Sequence, residues 1–305
     1  MNILITGGTG FVGAALIPEL LKNNHKVIAV TRSSRPYKEG VTYIPAPSDN
    51  ELFSPAIIAK ADAIINLAGE SIGERRWTEN VKASIVSSRI GITRQLVKSL
   101  QRNKEQGLAY PRVLVNASAV GFYGVSPTAV FTEASPSGSG FLADVCRQWE
   151  GQALAAETAG VRVAILRFAM ILGPGGALKR MVTPFIFGVG GIVGSGSQWC
   201  SWVHRSDVVK AIQFALDHPL SGPYNVSSPN AVTMKEFMTT LAHVLGKSSW
   251  TKMPPWAARL IFGEMADELL LNGQQVLPQR LTEAGFEFTF PNLKEALADI
   301  YRPKP

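Results

Sequence analysis

The sequence predicts an α/β fold: a doubly wound parallel sheet followed by a smaller C-terminal α/β lobe. Three observations carry that expectation. A glycine-punctuated strand, turn and helix open the chain; apolar strand-length runs then alternate with helix-like segments; and from about Leu172 the pattern changes, with glycine and proline dense through Ser197. The first unit is "MNILITGGTGFVGAALIPELL". Asn2 to Thr6 is an apolar run of strand length, and Ala14 to Leu21 carries apolar residues at helical spacing. Between them stand Gly7, Gly10 and Gly13. In such a turn one glycine allows the bend, a second lets a pyrophosphate reach the backbone, and a third lets helix pack on strand. The unpaired amides of the helix N-terminus would face the phosphates. A glycine triplet alone also fits a merely structural turn; the strand before it and a second strand at Val27 to Val30 supply the context of a Rossmann-type dinucleotide site.

Further strand-length runs lie at Val41 to Ile44, Ala63 to Leu67, Arg112 to Asn116 and Val163 to Phe168. The longest helical segment, "ENVKASIVSSRIGITRQLVKSL", spaces Val81, Ile85, Ile92, Leu96 and Leu100 for one buried face. A helix pattern resumes at Asp207 to Leu216. The expected division is a dinucleotide-binding domain over 1–171, with 202–226 returning to it, and a substrate-side lobe over 172–305. Ligands of such a sheet bind at the carboxyl ends of its strands.

Of 305 residues, 46% are apolar and 17% charged, the balance of a folded globular chain rather than a disordered one. No basic leader precedes the first strand, and the most apolar glycine-rich stretch, "MVTPFIFGVGGIVG", is short and broken by Pro184. A cytoplasmic location is expected. Cys146 and Cys200 show no ligand spacing with the histidines, so neither a disulfide framework nor a metal site is expected. The formal charge of +7 comes from scattered Lys and Arg, without a basic run. A small-molecule substrate is the expected partner, with neither nucleic acid nor membrane; a homodimer is one assembly the sequence leaves open.

An NAD site usually carries an acidic residue at the end of the second strand. Here the stretch is "VTRSSR": Thr31 occupies that point, and Arg32 and Arg35 follow. Guanidinium groups suit a 2′-phosphate that a carboxylate would repel, so NADP(H) is the expected cofactor. An exposed basic loop is the alternative.

Several stretches now resemble one superfamily. "TGGTGFVG", "DAIINLAG", "VNASAVGFYG", "LRFAMILGPGG" and "WVHRSD" are similar to the extended short-chain dehydrogenases/reductases. "NLAGESIGERRW", the Ser88-Arg89 pair, "FLADVCRQWE", "LLLNGQQVLPQRLTEAGFEF" and "FPNLKEAL" resemble an atypical branch, the YfcH-like epimerase-family proteins with a C-terminal domain of unassigned function. The resemblance implies a pyrophosphate site at Gly7, Gly10, Phe11, Val12 and Gly13, and a 2′-phosphate side at Thr31, Arg32 and Arg35. It also implies an adenosine and ribose wall at Leu67, Ala68 and Gly69. Ala117 and Ser118 would lie near the nicotinamide ribose, and backbone at Arg167, Phe168 and Ala169 near the nicotinamide.

Ordinary members use a Tyr-x-x-x-Lys pair for proton transfer. With Glu150 aligned to the glutamate that follows that motif, Leu142 and Cys146 occupy the two positions. Ser118 is retained, where its hydroxyl could hydrogen-bond a substrate oxygen. Tyr123 is a candidate for proton transfer or for a wall. Lys82 and Arg89 are candidates for positive charge near a carbonyl, or for structural salt bridges. In "CSWVH", Cys200 replaces the arginine that clamps a sugar nucleotide's diphosphate in relatives, which disfavours such a substrate. An apolar pocket is expected instead, with Trp77, Trp199, Trp202 and Phe122 as candidate walls and Arg76 or Arg180 as anion contacts; core packing competes for Trp202 and Phe122. His204 and Asp207 read as an architectural pair. Two functions remain open: an NADP(H)-dependent oxidoreductase of altered mechanism acting on a small carbonyl or alcohol, and a catalytically silent NADPH-binding regulator. A nucleotide-sugar epimerase is a third.

Overall fold

Seven parallel strands form the central sheet: β1 (Asn2–Thr6), β2 (Lys26–Thr31), β3 (Val41–Pro45), β4 (Ala63–Asn66), β5 (Val113–Ala119), β6 (Arg162–Phe168) and β7 (Gly222–Val226). The computed structural model describes residues 1–48, 51–249 and 251–301; the last residues of the expected C-terminal lobe, 302–305, lie outside them. Strand order is β3-β2-β1-β4-β5-β6-β7, so direction of winding reverses between β1 and β4, where a doubly wound sheet binds its ligand.

The helices of interest are α1 (Gly13–Lys22), α2 (Pro55–Lys60), α3 (Glu79–Val86), α4 (Ile92–Glu105), α5 (Phe141–Leu154), α6 (Gly176–Ile186), α7 (Arg205–Asp217) and α8 (Met234–Val244). Alternation along β1 shows why two layers form. Ile3 and Ile5 pack with Leu16 and Leu20 of α1 and Ile212 of α7, whereas Leu4 packs with Ile58, Leu96 and Leu100 on the opposite face. Burial of each such side chain stabilises the fold by about 1.5–3 kcal/mol.

The long helical segment differs from the uninterrupted helix its spacing predicts. A π-helical turn, Ser87–Gly91, separates α3 from α4. Ile85, Leu96 and Leu100 are fully buried, while Val81 and Ile92 are only partly so. The Thr93 hydroxyl donates to Arg89 O (2.7 Å), a back-bond of the kind that bends helices.

Beyond β6 the chain builds a separate apolar cluster from Leu178, Phe185, Trp202, Phe237, Leu241 and Leu297. Trp202–His204 pairs in parallel with Met170–Leu172, joining this cluster to the sheet, and α7 and β7 then return to it. His204 and Asp207 do not pair with each other. His204 Nδ1 caps α7 by accepting from Ser206 N (3.3 Å), while the Asp207 carboxylate accepts the amides of Thr289 (2.8 Å) and Phe290 (3.0 Å). With Asp299 3.5 Å from the imidazole, both residues anchor the C-terminal segment.

Candidate functional site

The turn after β1 is shaped by backbone contact. A Cβ on Gly7, whose φ is +68°, would lie 2.3 Å from Leu67 O, and one on Gly13 would lie 2.5 Å from Gly7 O. A Cβ on Gly10 would meet only Gly7 O, at 3.2 Å, because that residue faces outward. The first helical bond runs from Ala14 N to Gly10 O (2.9 Å), which leaves the amides of Phe11, Val12 and Gly13 at a helix N-terminus for an anion. Phe11 roofs this turn against the 173–176 stretch, where a Cβ on Gly173 would come within 3.0 Å of its ring. These positions fit a pyrophosphate.

One strand over, Thr31 Oγ1 donates to Ser33 O (2.8 Å) and accepts from Ser33 N (3.2 Å), a local turn that presents Arg32 and Arg35 to solvent. Among the described residues no ion pair engages either arginine. The Ser84 hydroxyl, with Arg75 and Arg32 behind it, holds the Glu70 carboxyl below its usual range. A guanidinium pair free to meet a phosphate suits NADP(H).

Two buried polar rows cross the sheet near its carboxyl edge. In register, Thr6, Asn66 and Asn116 stand side by side on β1, β4 and β5. Thr6 Oγ1 donates to Asn66 Oδ1 (2.5 Å), and Asn66 Nδ2 donates to Asn116 Oδ1 (2.6 Å) and Thr93 Oγ1 (2.7 Å). Trp149 Nε1 also donates to Thr93 Oγ1 (3.0 Å), which ties the row to α5 and the π turn. The second row is Ser118, Arg167 and Asn225 on β5, β6 and β7. Buried polar groups in parallel strands must find partners on the neighbouring strand or helix, and these do.

Ser118 Oγ donates to Glu150 Oε1 at 2.6 Å. Glu150 accepts from Arg167 Nε (2.8 Å) and Nη2 (2.7 Å). Arg167 Nη1 donates to the Tyr123 hydroxyl (2.8 Å), which donates to Asn225 Oδ1 (2.7 Å). Desolvation pulls Arg167 down, but the bonds and charge of Glu150 outweigh it and hold the guanidinium above its ordinary value. Burial pushes the Tyr123 phenol up, against the pull of Arg167. Both expected catalytic hydroxyls are therefore committed, and Ser118 and Tyr123 are each 2% exposed. Of the two roles open to Tyr123, proton transfer or a wall, the surroundings match a packed wall: the hydroxyl serves the network, and its ring stacks 5.2 Å from Phe131. Ser118 turns its hydrogen to Glu150, so toward a ligand it is an acceptor rather than the donor that would polarise a carbonyl.

The outer candidates lie where the C-terminal segment packs against α3 and α5, at a joint between distant stretches of chain. Trp77, expected as a pocket wall because its neighbours are polar, is buried alone in an exposed run. Its indole meets Phe141 edge-on at 5.1 Å in a cluster with Ile85, Val145 and Met265, and Nε1 donates to Ile72 O (2.8 Å). The C-terminal segment covers it. Lys82 pairs with Glu264 (2.5 Å), an ion pair rather than a free charge beside a carbonyl, and Arg76 is exposed with Nη1 3.4 Å from Leu260 O. Glu268 closes the joint by accepting the first amides of α5, Phe141 N (3.0 Å) and Leu142 N (3.3 Å). Phe122 lies under Arg167, its centroid 3.5 Å from the guanidinium carbon, and Trp199 Nε1 donates to Pro127 O (3.2 Å). Trp202 is wholly buried in the C-terminal cluster, and Arg180 is exposed. Burial pushes the thiols up to about 11 for Cys146 and about 12 for Cys200, which disfavours the thiolate at both.

Asn66, Asn116, Asn225 and Glu268 join these networks without being candidates from the sequence, where Glu150 serves only to align a motif. A signal existed for the asparagines: each is a polar residue inside an otherwise apolar buried strand. For Glu268 there was none, since its partners lie 126 and 127 residues away.

A glycine cradle, a parallel sheet reversing at β1 and a basic loop after β2 define a dinucleotide-binding α/β protein of the short-chain dehydrogenase/reductase type. The chain belongs to the NAD dependent epimerase/dehydratase family, whose model matches residues 3–227, and a domain of unknown function, DUF1731, matches 253–300. It is 41% identical over 312 residues to the chloroplastic epimerase family protein SDR39U1 homolog of Arabidopsis thaliana, covering 98% of this chain and 86% of that one. It is 39% identical over 303 residues to the epimerase family protein YfhF of Bacillus subtilis, covering 98% of each. Among solved structures, the human epimerase family protein SDR39U1 (isoform 2) with NADPH superposes with a TM-score of 0.85 at 31% identity, covering 98% of this chain and 99% of that one. The Bacillus cereus UDP-glucuronic acid 4-epimerase with NAD, 18% identical, shares the fold with a TM-score of 0.77, covering 99% and 96% of the two chains.

Proposed function

We propose that the protein is an NADP(H)-dependent oxidoreductase of a small carbonyl or alcohol, built without a Tyr-x-x-x-Lys pair. The observation that carries this reading is Ser118 at the carboxyl end of β5, its hydroxyl bonded to a buried carboxylate. When bound, the cofactor supplies the hydride donor or acceptor. The amides and the bare Gly10 face at the start of α1 hold its pyrophosphate, and Arg32 and Arg35 its 2′-phosphate. Ser118 Oγ accepts from a substrate hydroxyl, and its own hydrogen already points at Glu150 Oε1. A proton leaving an alcohol can pass to Ser118 while the serine proton passes to Glu150, the direction in which Ser118 acts as an acceptor. A cytoplasmic setting and a small-molecule substrate belong to the same proposal; among the described residues no helix is long and apolar enough to cross a membrane.

The 2% exposure of Ser118 and Tyr123 favours a second reading, a silent NADPH-binding regulator. One experiment separates them: NADPH oxidation followed across aldehydes, ketones and quinones, with Ser118→Ala as control. Turnover that disappears in the variant supports the oxidoreductase. Tight NADPH binding with no turnover over the panel overturns it in favour of the regulator.

A further inference from the structure

Arg89 lies on the π turn, a local widening that recurs at functional positions in helices. Its guanidinium Nη2 donates to Glu70 O (2.9 Å) and Nη1 to Ile85 O (3.1 Å), while Ser88 Oγ accepts from Glu70 N (3.0 Å). Adjacent residues of one turn thus grip both backbone groups of Glu70 and fix the loop that follows β4. The guanidinium carbon sits 5.4 Å over the Trp149 ring, and a Cβ on Gly69 would come within 3.1 Å of it.

The charge of Arg89 is only partly answered. Among the described residues no carboxylate forms an ion pair with it; its partners are neutral carbonyls and an aromatic face. Burial holds it below its ordinary value, with Cys146 and Glu70 the nearby groups that oppose this. A guanidinium has five N–H donors, and the two hydrogen bonds to carbonyls leave others to give.

Its location tells what it would meet. A dinucleotide lies across the carboxyl ends of the strands with its pyrophosphate at the β1 turn, one nucleoside toward β2 and the other toward β4 and β5. With the 2′-phosphate side at Arg32 and Arg35, the second nucleoside falls on the side of β5 and α5, where the Arg89 guanidinium lies over Trp149. We propose that Arg89 donates hydrogen bonds to the hydroxyls of the nicotinamide-side ribose of NADP(H), a cationic contact delivered from the helix after β4 to the space beside Cys146. The inference rests on NADP(H) binding and is independent of turnover.

Calorimetry with two ligands tests it. NADPH spans both halves of the site, whereas adenosine 2′,5′-bisphosphate fills only the adenosine half. Arg89→Met should weaken NADPH by roughly ten- to a hundredfold and leave the bisphosphate within about twofold. Ser88→Ala, which frees the Glu70 amide but keeps the cation, should change neither by more than about twofold, and Arg89→Lys should fall between parent and Arg89→Met for NADPH. Equal weakening of both ligands in Arg89→Met, matched by Ser88→Ala, would make Arg89 a mere shaper of the loop and overturn the proposal. Unchanged NADPH affinity in either Arg89 variant also overturns it, and if Arg89→Met does not fold, Arg89→Lys alone decides by the same comparison. A parent that binds neither ligand would refute the cofactor instead.

Discussion

Replacing Glu150 by glutamine removes one negative charge from a site where its side chain is 7% exposed and that of its partner Arg167 4% exposed. Shape is retained, so the change isolates charge and hydrogen-bond polarity. The carboxylate accepts three bonds: from Ser118 Oγ, Arg167 Nε and Arg167 Nη2. Whichever way the amide is turned, its NH2 faces one of the two guanidinium N–H groups, so one charge-assisted bond of about 1.5–3 kcal/mol is lost outright. The guanidinium is then left buried without a counterion, and the whole effect should reach about 3–5 kcal/mol. Urea unfolding of the cofactor-free protein reads this as a lower midpoint at unchanged slope. The paired variant Glu150→Leu with Arg167→Met removes both charges and should recover most of the loss. A Glu150→Gln protein within about 1 kcal/mol of the parent, or a double variant no more stable than the single, would refute the reasoning, because the pair would then be solvated.

Arg32→Glu should weaken NADPH by about ten- to a hundredfold while changing NADH affinity far less, measured by fluorescence titration of each. Gly13→Ala should lower the urea midpoint strongly, since its Cβ would meet backbone atoms at 2.5 Å; Gly10→Ala, with a single contact at 3.2 Å, should fold yet lose NADPH affinity. Glu236 completes the capping box of α8 with Thr233, whose amide and hydroxyl hold the carboxyl below its ordinary value of 4.5. A depressed folded value means the stabilisation is present above 4.5 and lost as pH falls through that lower value. Glu236→Gln should therefore be destabilised by about 1 kcal/mol near neutral pH, with the difference from the parent vanishing in acid, as urea midpoints across pH will show.

What the sequence alone determined was the part set by short stretches of chain. Apolar runs of strand length placed β1 to β4 and β6 to within one residue at either end; β5 runs three residues further, to Ala119, and β7 has no such run. The glycine spacing defined the phosphate turn, and the absent acid after β2 with two arginines beyond it indicated the phosphorylated cofactor. Tertiary structure decided the rest. Trp77 lies in a polar run and reads as a pocket wall until a segment nearly two hundred positions later folds over it. Ser118 reads as a donor to substrate until strand register brings it beside Arg167 and helix α5 brings Glu150 to its hydrogen. The reason is one of range. Backbone conformation and the inward or outward sense of a side chain follow from neighbours a few residues away, whereas the partner of a buried charge or hydroxyl is fixed by which distant elements pack against it.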